Sequence, residues 1–167
     1  MFNRPFYLSN DLIVSISKVT HDVVSEAAPE VDNIYHPHAV DPSVFRRKTD
    51  EEIKNLKKNN FPQDKDDRML FFWNNRNARR KQSGSLLFWF DEFANEVGRD
   101  KVRLIMHTDP NDIHGQPLQH IIEKLGNDGT IMISNSKVPP QILSNMYNMA
   151  SCTLNISDAE GFGLATL

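Results

Sequence analysis

The chain has 167 residues, of which 39% are hydrophobic and 25% are charged, as expected for a globular protein that can bury a core. Its net charge of −3 gives no general attraction to nucleic acid or to anionic membranes, so neither is expected as a partner. No apolar run approaches the roughly 20 residues that a transmembrane helix needs.

The first third of the chain predicts two short strands and two helices. The run DLIVSIS (11–17) is apolar and β-branched, which indicates a strand, and KVTHDVVSEA follows it as a short helix. The segment VDNIYHPHAVDPSVF (31–45) predicts a short strand that leads into a proline-rich connection. Thr49 and Glu52 have the spacing of a capping box, which indicates that a charged helix begins there.

From residue 68 onward, strands and helices alternate. Continuous apolar runs predict four strands that are buried on both faces: 68–73, 101–107, 130–134 and 152–157. Three amphipathic segments between them predict helices: 85–98, 117–126 and 139–150. This order predicts an α/β domain with a Rossmann-like parallel sheet, flanking helices and right-handed crossovers. Ligands bind such sheets at the carboxyl ends of the strands, so the loops that follow the strands should carry the function.

The loop after the first of these strands, NNRNARRKQSG (74–84), contains four cations: Arg76, Arg79, Arg80 and Lys81. A helix N-terminus already carries a partial positive charge, so cations gathered there need an anion to stabilise them. One interpretation is a phosphate site on which helix N–H groups and cationic side chains converge. The other is a solvated basic turn with nothing bound. The position at the carboxyl end of a strand favours the phosphate site.

The loop after the last strand contains Glu160, Gly161, Phe162 and Gly163. Glycines allow a backbone to approach a ligand closely, and a glutamate can accept hydrogen bonds from hydroxyl groups. Taken alone, the same pattern is also that of an ordinary tight turn. No G-x-G-x-x-G follows a strand and no P-loop sequence is present, which disfavours an NAD-dependent enzyme and a P-loop NTPase.

A third loop, HTDPNDIHG (107–115), contains His107, Asp109, Asp112 and His114, which are all residue types that bind metals. Their spacing matches no strong metal-binding pattern, whereas Asp, Pro, Asn and Gly are common turn residues. The sequence therefore predicts a turn here and no metal site.

The single cysteine, Cys152, excludes an internal disulfide and favours a reducing compartment, so we expect a cytoplasmic protein. Its apolar neighbours predict a small buried core residue rather than a nucleophile.

Taken in order, these segments resemble the group 1 (glycogen synthase-like) family of retaining GT-B glycosyltransferases. The segment NIYHPHAVDPSVF is similar to the family's interdomain P-H-G-V-D followed by F, with Ala39 in place of the glycine. The segment FFWNNRNARRKQ is similar to F-V-G-R-x-x-x-x-K-G, with Asn75 and Gln82 in place of its glycines. The stretch from Lys137 to Leu167 is similar to V-P-x-x-x-L-x-x-x-Y-x-x-A through P-S-x-x-E-G-F-G-L.

The resemblance implies a site for a UDP- or GDP-linked sugar donor, with no cofactor or metal required and with a glycan or another hydroxyl as acceptor. Arg76 and Lys81 fall on the family's phosphate-contacting residues, and Glu160 falls on the first glutamate of its E-x7-E motif. These three residues would be catalytic. The resemblance implies that the donor also contacts a further set of residues: Lys137, Val138, Gly161, Phe162, Gly163 and Leu164.

The resemblance also implies a domain division. Residues 1–46 would be the tail of an acceptor-binding N-terminal domain and the linker, and residues 47–167 the first part of the nucleotide-sugar-binding domain. The second glutamate of the motif would come directly after Leu167. We therefore expect a fragment that is truncated within the motif, inactive alone and able to self-associate through its incomplete sheet. Two alternatives remain open, a GT-B-fold nucleotide-sugar epimerase and a non-catalytic nucleotide- or glycan-binding module.

Overall fold

The computed structural model describes residues 3–64, 68–126 and 128–166. These residues form two compact units. The smaller unit contains the described residues up to Val40 together with Glu160–Ala165, and the larger unit contains Asp41–Ala159 and Thr166. The assignment of residues 1–46 and 47–167 to two domains of a larger enzyme stays a prediction.

The smaller unit contains a strand–helix–strand motif. Its elements are α1 (Arg4–Tyr7), β1 (Leu12–Ser15), α2 (Lys18–Ala27) and β2 (Asp32–Tyr35). The two strands pair in parallel, with Leu12 opposite Asp32. Ser17 caps α2, since its side chain accepts a hydrogen bond from the backbone N–H of Thr20 at 3.1 Å. The predicted helix is confirmed, and the strands are shorter than the predicted runs.

The larger unit is an α/β domain with a four-stranded parallel sheet. Its elements are α3 (Asp50–Asn60), β3 (Met69–Asn74), α4 (Ser83–Val97), β4 (Val102–His107), α5 (Leu118–Lys124), β5 (Ile131–Ser134), α6 (Pro140–Met149) and β6 (Cys152–Thr153). The strand order is β5-β4-β3-β6, and every neighbouring pair is parallel. The predicted fold class is therefore confirmed. Two short 3₁₀ turns complete the chain: Arg79–Lys81 and Leu164–Thr166.

The core of the larger unit lies on both faces of the central strands. The first five of the six residues of β4 are buried, as expected for a strand with helices on both sides. Large side chains from the sheet, α4 and α5 are fully buried in one cluster: Trp73, Leu87, Leu104, Met106 and Leu118. Burial of each such aliphatic side chain stabilises the fold by about 1.5–3 kcal/mol. The capping box of α3 is also present, with reciprocal hydrogen bonds between Thr49 and Glu52.

The prediction for the last strand was wrong in extent and burial. Only Cys152–Thr153 pair with β3, and Cys152 is exposed rather than buried. The physical reason is position: β6 is at the edge of the sheet, and no further strand of the described chain pairs with it. Leu154 and Ile156, which follow β6, still pack against the core. Among the described residues, no helix combines the length and the apolar character that a membrane crossing needs.

Candidate functional site

Polar side chains meet where the parallel strands end. The sheet register aligns Asn74 at the end of β3 with His107 at the end of β4, and His107 with Ser134 at the end of β5. His107 Nδ1 lies 2.9 Å from Ser134 Oγ, and Asn74 donates a hydrogen bond to the Tyr147 hydroxyl at 2.9 Å. Burial lowers the pKa of His107 and raises that of Tyr147, so both are neutral near pH 7.

Arg76 begins the basic loop after β3 and forms an ion pair with Asp112 in the loop after β4. Arg76 Nε is 2.5 Å from Asp112 Oδ2, and Nη2 is 3.2 Å from Oδ1. The hydrogen bond from Arg76, together with that from the His114 backbone, lowers the pKa of Asp112 to about 2. The same pairing raises the pKa of Arg76. Both groups are therefore charged at neutral pH.

A buried asparagine, Asn77, joins these two loops. Its Nδ2 donates to the Gln116 carbonyl at 2.8 Å, and its Oδ1 accepts from the Gln116 N–H at 3.1 Å and from Ser83 Oγ at 2.6 Å. A Cβ at Gly115 would lie 2.3 Å from Asn77, so this approach requires glycine. The loops after β3 and β4 consequently form one hydrogen-bonded structure.

The first turn of α4 is capped by the same structure. The backbone N–H of Gly84 donates to Gln116 Oε1 at 2.6 Å. A Cβ at Gly84 would lie 2.7 Å from that oxygen. The expectation that helix N–H groups bind a phosphate here is therefore not met at Gly84, because its N–H is already paired with a side chain of the protein.

The second predicted phosphate contact, Lys81, differs from Arg76 in its environment. Lys81 ends the 3₁₀ turn Arg79–Lys81 and is buried, with 5% of its surface exposed. Its backbone N–H donates to the Ala78 carbonyl at 2.8 Å. Arg76, in contrast, keeps 62% of its side chain exposed. The Arg76 side chain is therefore accessible to solvent, whereas Lys81 is enclosed by the protein.

The residues directly after β6 are hydrogen-bonded to the basic loop after β3. The backbone N–H of Asp158 donates to the Arg80 carbonyl at 2.9 Å, and Arg80 Nη1 donates to the Ala159 carbonyl at 2.5 Å. Gln82 Nε2 lies 3.0 and 2.8 Å from the two carboxylate oxygens of Asp158. Asp158 and Ala159, which follow β6 within the larger unit, are thus joined to the loop after β3.

The E-G-F-G segment belongs to the smaller unit. The Phe162 ring packs edge-on against the His38 ring, with centroids 5.3 Å apart. Gly163 has a φ of +83°, a conformation that favours glycine. Glu160 and Leu164 are exposed. The roles of Glu160, Gly161, Phe162, Gly163 and Leu164 in donor binding stay predictions.

Lys137 and Val138 lie between β5 and α6 in the larger unit, directly before the Pro139-Pro140 start of the helix. Lys137 is exposed and Val138 is half-buried. Their role beside a nucleotide base also stays a prediction.

The acidic residues between β4 and α5 have turn roles. Asp109 Oδ1 accepts the Asn111 N–H at 2.9 Å, and Asp112 Oδ1 accepts the His114 N–H at 2.9 Å. Within residues 3–64, 68–126 and 128–166, no three His, Cys, Asp or Glu side chains converge as metal ligands would.

Sequence reasoning missed the partners of Arg76 and of α4. From the sequence, Asp112 is a possible metal ligand or a turn residue, and neither Asn77 nor Gln116 is singled out. Asp112 is 36 residues from Arg76, and Gln116 is 39 residues from Asn77. The rule that ligand-binding loops gather at the carboxyl ends of parallel strands was the one signal that could have linked them.

No protein-family model matches the sequence, and no curated protein gives a significant match. Solved structures do match. The C-terminal domain of a glycosyl transferase group 1 family protein (LpcC) from Francisella tularensis has a TM-score of 0.61 at 14% identity, over 77% of this chain and 64% of that one. An α,α-trehalose 6-phosphate synthase from Burkholderia multivorans has a TM-score of 0.67 at 12% identity, over 95% of this chain.

The chain shares the fold of GT-B C-terminal domains. A third structure, TarM, agrees with this at a TM-score of 0.64 and 8% identity, over 98% of this chain. At such identities the likeness to these glycosyltransferases shows the GT-B fold alone. The chain spans 41% of the synthase and 28% of TarM, so it corresponds to part of each.

Proposed function

We propose that this chain is the donor-binding part of a retaining glycosyltransferase. The complete enzyme would transfer a sugar from a UDP- or GDP-linked donor to a hydroxyl of a glycan or another acceptor. The observation that carries this proposal is the set of hydrogen bonds between the Arg80–Gln82 segment and Asp158 and Ala159, at the strand ends of a GT-B fold. A similar fold is found in the structure of trehalose-6-phosphate from E. coli bound with UDP-2-fluoro glucose, which supports this class of donor.

The cations after β3 would act on the leaving group. When the bond between sugar and diphosphate breaks, negative charge grows on the phosphate, and Arg76 and Lys81 would neutralise it without a metal. A buried cation such as Lys81 interacts more strongly with a nearby anion, because the surroundings have a low dielectric constant. Arg76 would contribute directional hydrogen bonds from an exposed guanidinium.

The E-G-F-G segment would hold the sugar. Glu160 would accept hydrogen bonds from the sugar hydroxyls, and the backbone of residues 161–164 would complete the site. The backbone near Lys137 and Val138 would lie beside the nucleotide base.

A thermal-shift assay of the full chain with UDP, GDP and ADP tests the proposal. We expect one of the diphosphates to raise the melting temperature and Arg76→Ala to reduce that rise, because the substitution removes a charge-assisted hydrogen bond to phosphate while the other cations of the loop remain. Arg79→Ala is the matched control, since it removes the same charge from an exposed residue of the same loop. Equal losses in the two variants, or no response to any diphosphate, would contradict the proposal.

A further inference from the structure

The guanidinium of Arg76 is held from one side only. Its Nε and Nη2 contact the two oxygens of Asp112 at 2.5 and 3.2 Å, a two-point contact that fixes the plane of the group. In the described chain, its third nitrogen, Nη1, has no hydrogen-bond partner, and 62% of the side chain is exposed. Arg76 is therefore oriented by the protein and still has hydrogen-bond donors available.

Asp112 is itself fixed within its loop. Its Oδ1 accepts the His114 N–H at 2.9 Å, and its backbone carbonyl accepts the Gly115 N–H at 2.9 Å. Only 11% of its side chain is exposed. A carboxylate anchored in this way is a stationary partner for Arg76, unlike a mobile surface residue, whose ion pairs contribute little.

The positions of the two loops relative to each other are also fixed. Asn77, the residue after Arg76, is fully buried and makes two hydrogen bonds to the backbone of Gln116 at 2.8 and 3.1 Å. Gly115, between Asp112 and Gln116, allows this close approach. The geometry of the Arg76–Asp112 pair is thus set by a buried network rather than by the two side chains alone.

We propose that Asp112 is a positioning residue, which holds the Arg76 guanidinium so that Nη1 is presented to the diphosphate of the sugar donor. This inference rests on the proposed function. A long flexible side chain normally loses rotational freedom when it binds a ligand, and prior orientation removes that cost. A carboxylate beside a phosphate also repels it. If Asp112 positions Arg76, removing its charge should therefore weaken diphosphate binding. If Asp112 instead competes with the phosphate for Arg76, removing its charge should strengthen diphosphate binding.

The test is calorimetric titration of the full chain with UDP and with GDP, in the wild type, Asp112→Asn and Asp109→Asn. Asp109 is the matched control because it caps a turn in the same loop and has no ion pair with Arg76. Relative to Asp109→Asn, we expect Asp112→Asn to weaken binding of the preferred diphosphate about threefold to tenfold. In an Arg76→Ala background, Asp112→Asn should change the affinity for the diphosphate no more than Asp109→Asn does, because its effect acts through Arg76. If Asp112 had only a general structural role, Asp112→Asn would still weaken binding in that background.

Arg76→Lys is a second variant, which keeps the charge on an exposed side chain but cannot make the two-point contact, and it should weaken binding similarly. If the wild type binds no diphosphate, the proposed function fails and this inference fails with it. If the wild type binds but Asp112→Asn binds as well as Asp109→Asn or better, the inference alone is overturned. Unchanged affinity in Arg76→Lys would overturn it too.

Discussion

At the residue scale, the most constrained position is the junction of Asn77 and Gly115. The Asn77 side chain is fully buried, and both its oxygen and its nitrogen have partners, so its amide carries little desolvation penalty. The close approach of the two loops leaves no room for a side chain at position 115. One small residue therefore allows the hydrogen bonds that join the loops.

We expect Gly115→Ala to lower the free energy of unfolding by about 1–3 kcal/mol, because a Cβ 2.3 Å from Asn77 forces buried groups to move. Urea unfolding followed by tryptophan fluorescence measures this, since Trp73 is in the core. Gly161→Ala is the control, because the nearest atom to a Cβ there is 3.9 Å away. Equal stability of the two variants would show that the loops rearrange freely.

At the element scale, the helices differ in the interactions that stabilise them. Helix α4 buries one face in the core, with Leu86, Leu87 and Phe90 among its buried residues. Helix α3 has no buried residue and depends more on its ends, where Thr49 and Glu52 form the capping box. A helix with so little buried surface should respond strongly to loss of its cap.

We expect Thr49→Ala to lower the free energy of unfolding by about 1 kcal/mol and to speed amide exchange in the first turn of α3. Hydrogen exchange resolved by residue measures the local effect. Thr49→Ser keeps the hydroxyl that accepts the Glu52 N–H at 3.2 Å, so it should behave like the wild type. Protection in Thr49→Ala as high as in Thr49→Ser would show that packing, and not the cap, sets the stability of α3.

Local signals were sufficient to predict most elements. The capping box located the start of α3, and the apolar periodicity of α4, α5 and α6 located those helices within a few residues. The start of α4 at Ser83, two residues before the predicted start, depends on Gln116, which is distant in sequence. Such a cap has no local pattern, so the sequence could not predict it.

At the scale of the whole molecule, the alternation of strands and helices was enough to predict the parallel α/β fold. It could not predict which strand is at the edge, and for that reason Cys152 was wrongly expected to be buried. The candidate site, too, could be predicted from the sequence only in part. The sequence identified the cations of the loop after β3, whereas the pairing of Arg76 with Asp112 depends on tertiary contacts.

The central claim is our proposal that the loop after β3, joined to Asp158 and Ala159, binds the diphosphate of a sugar donor. The most direct test is an NMR titration of the full chain with UDP and with GDP, followed through the backbone amide signals. We predict that signals from residues 76–82 and from Asp158 and Ala159 shift along the same saturation curve with one of the two nucleotides. Shifts in only one of these two segments, or in neither, would contradict the claim.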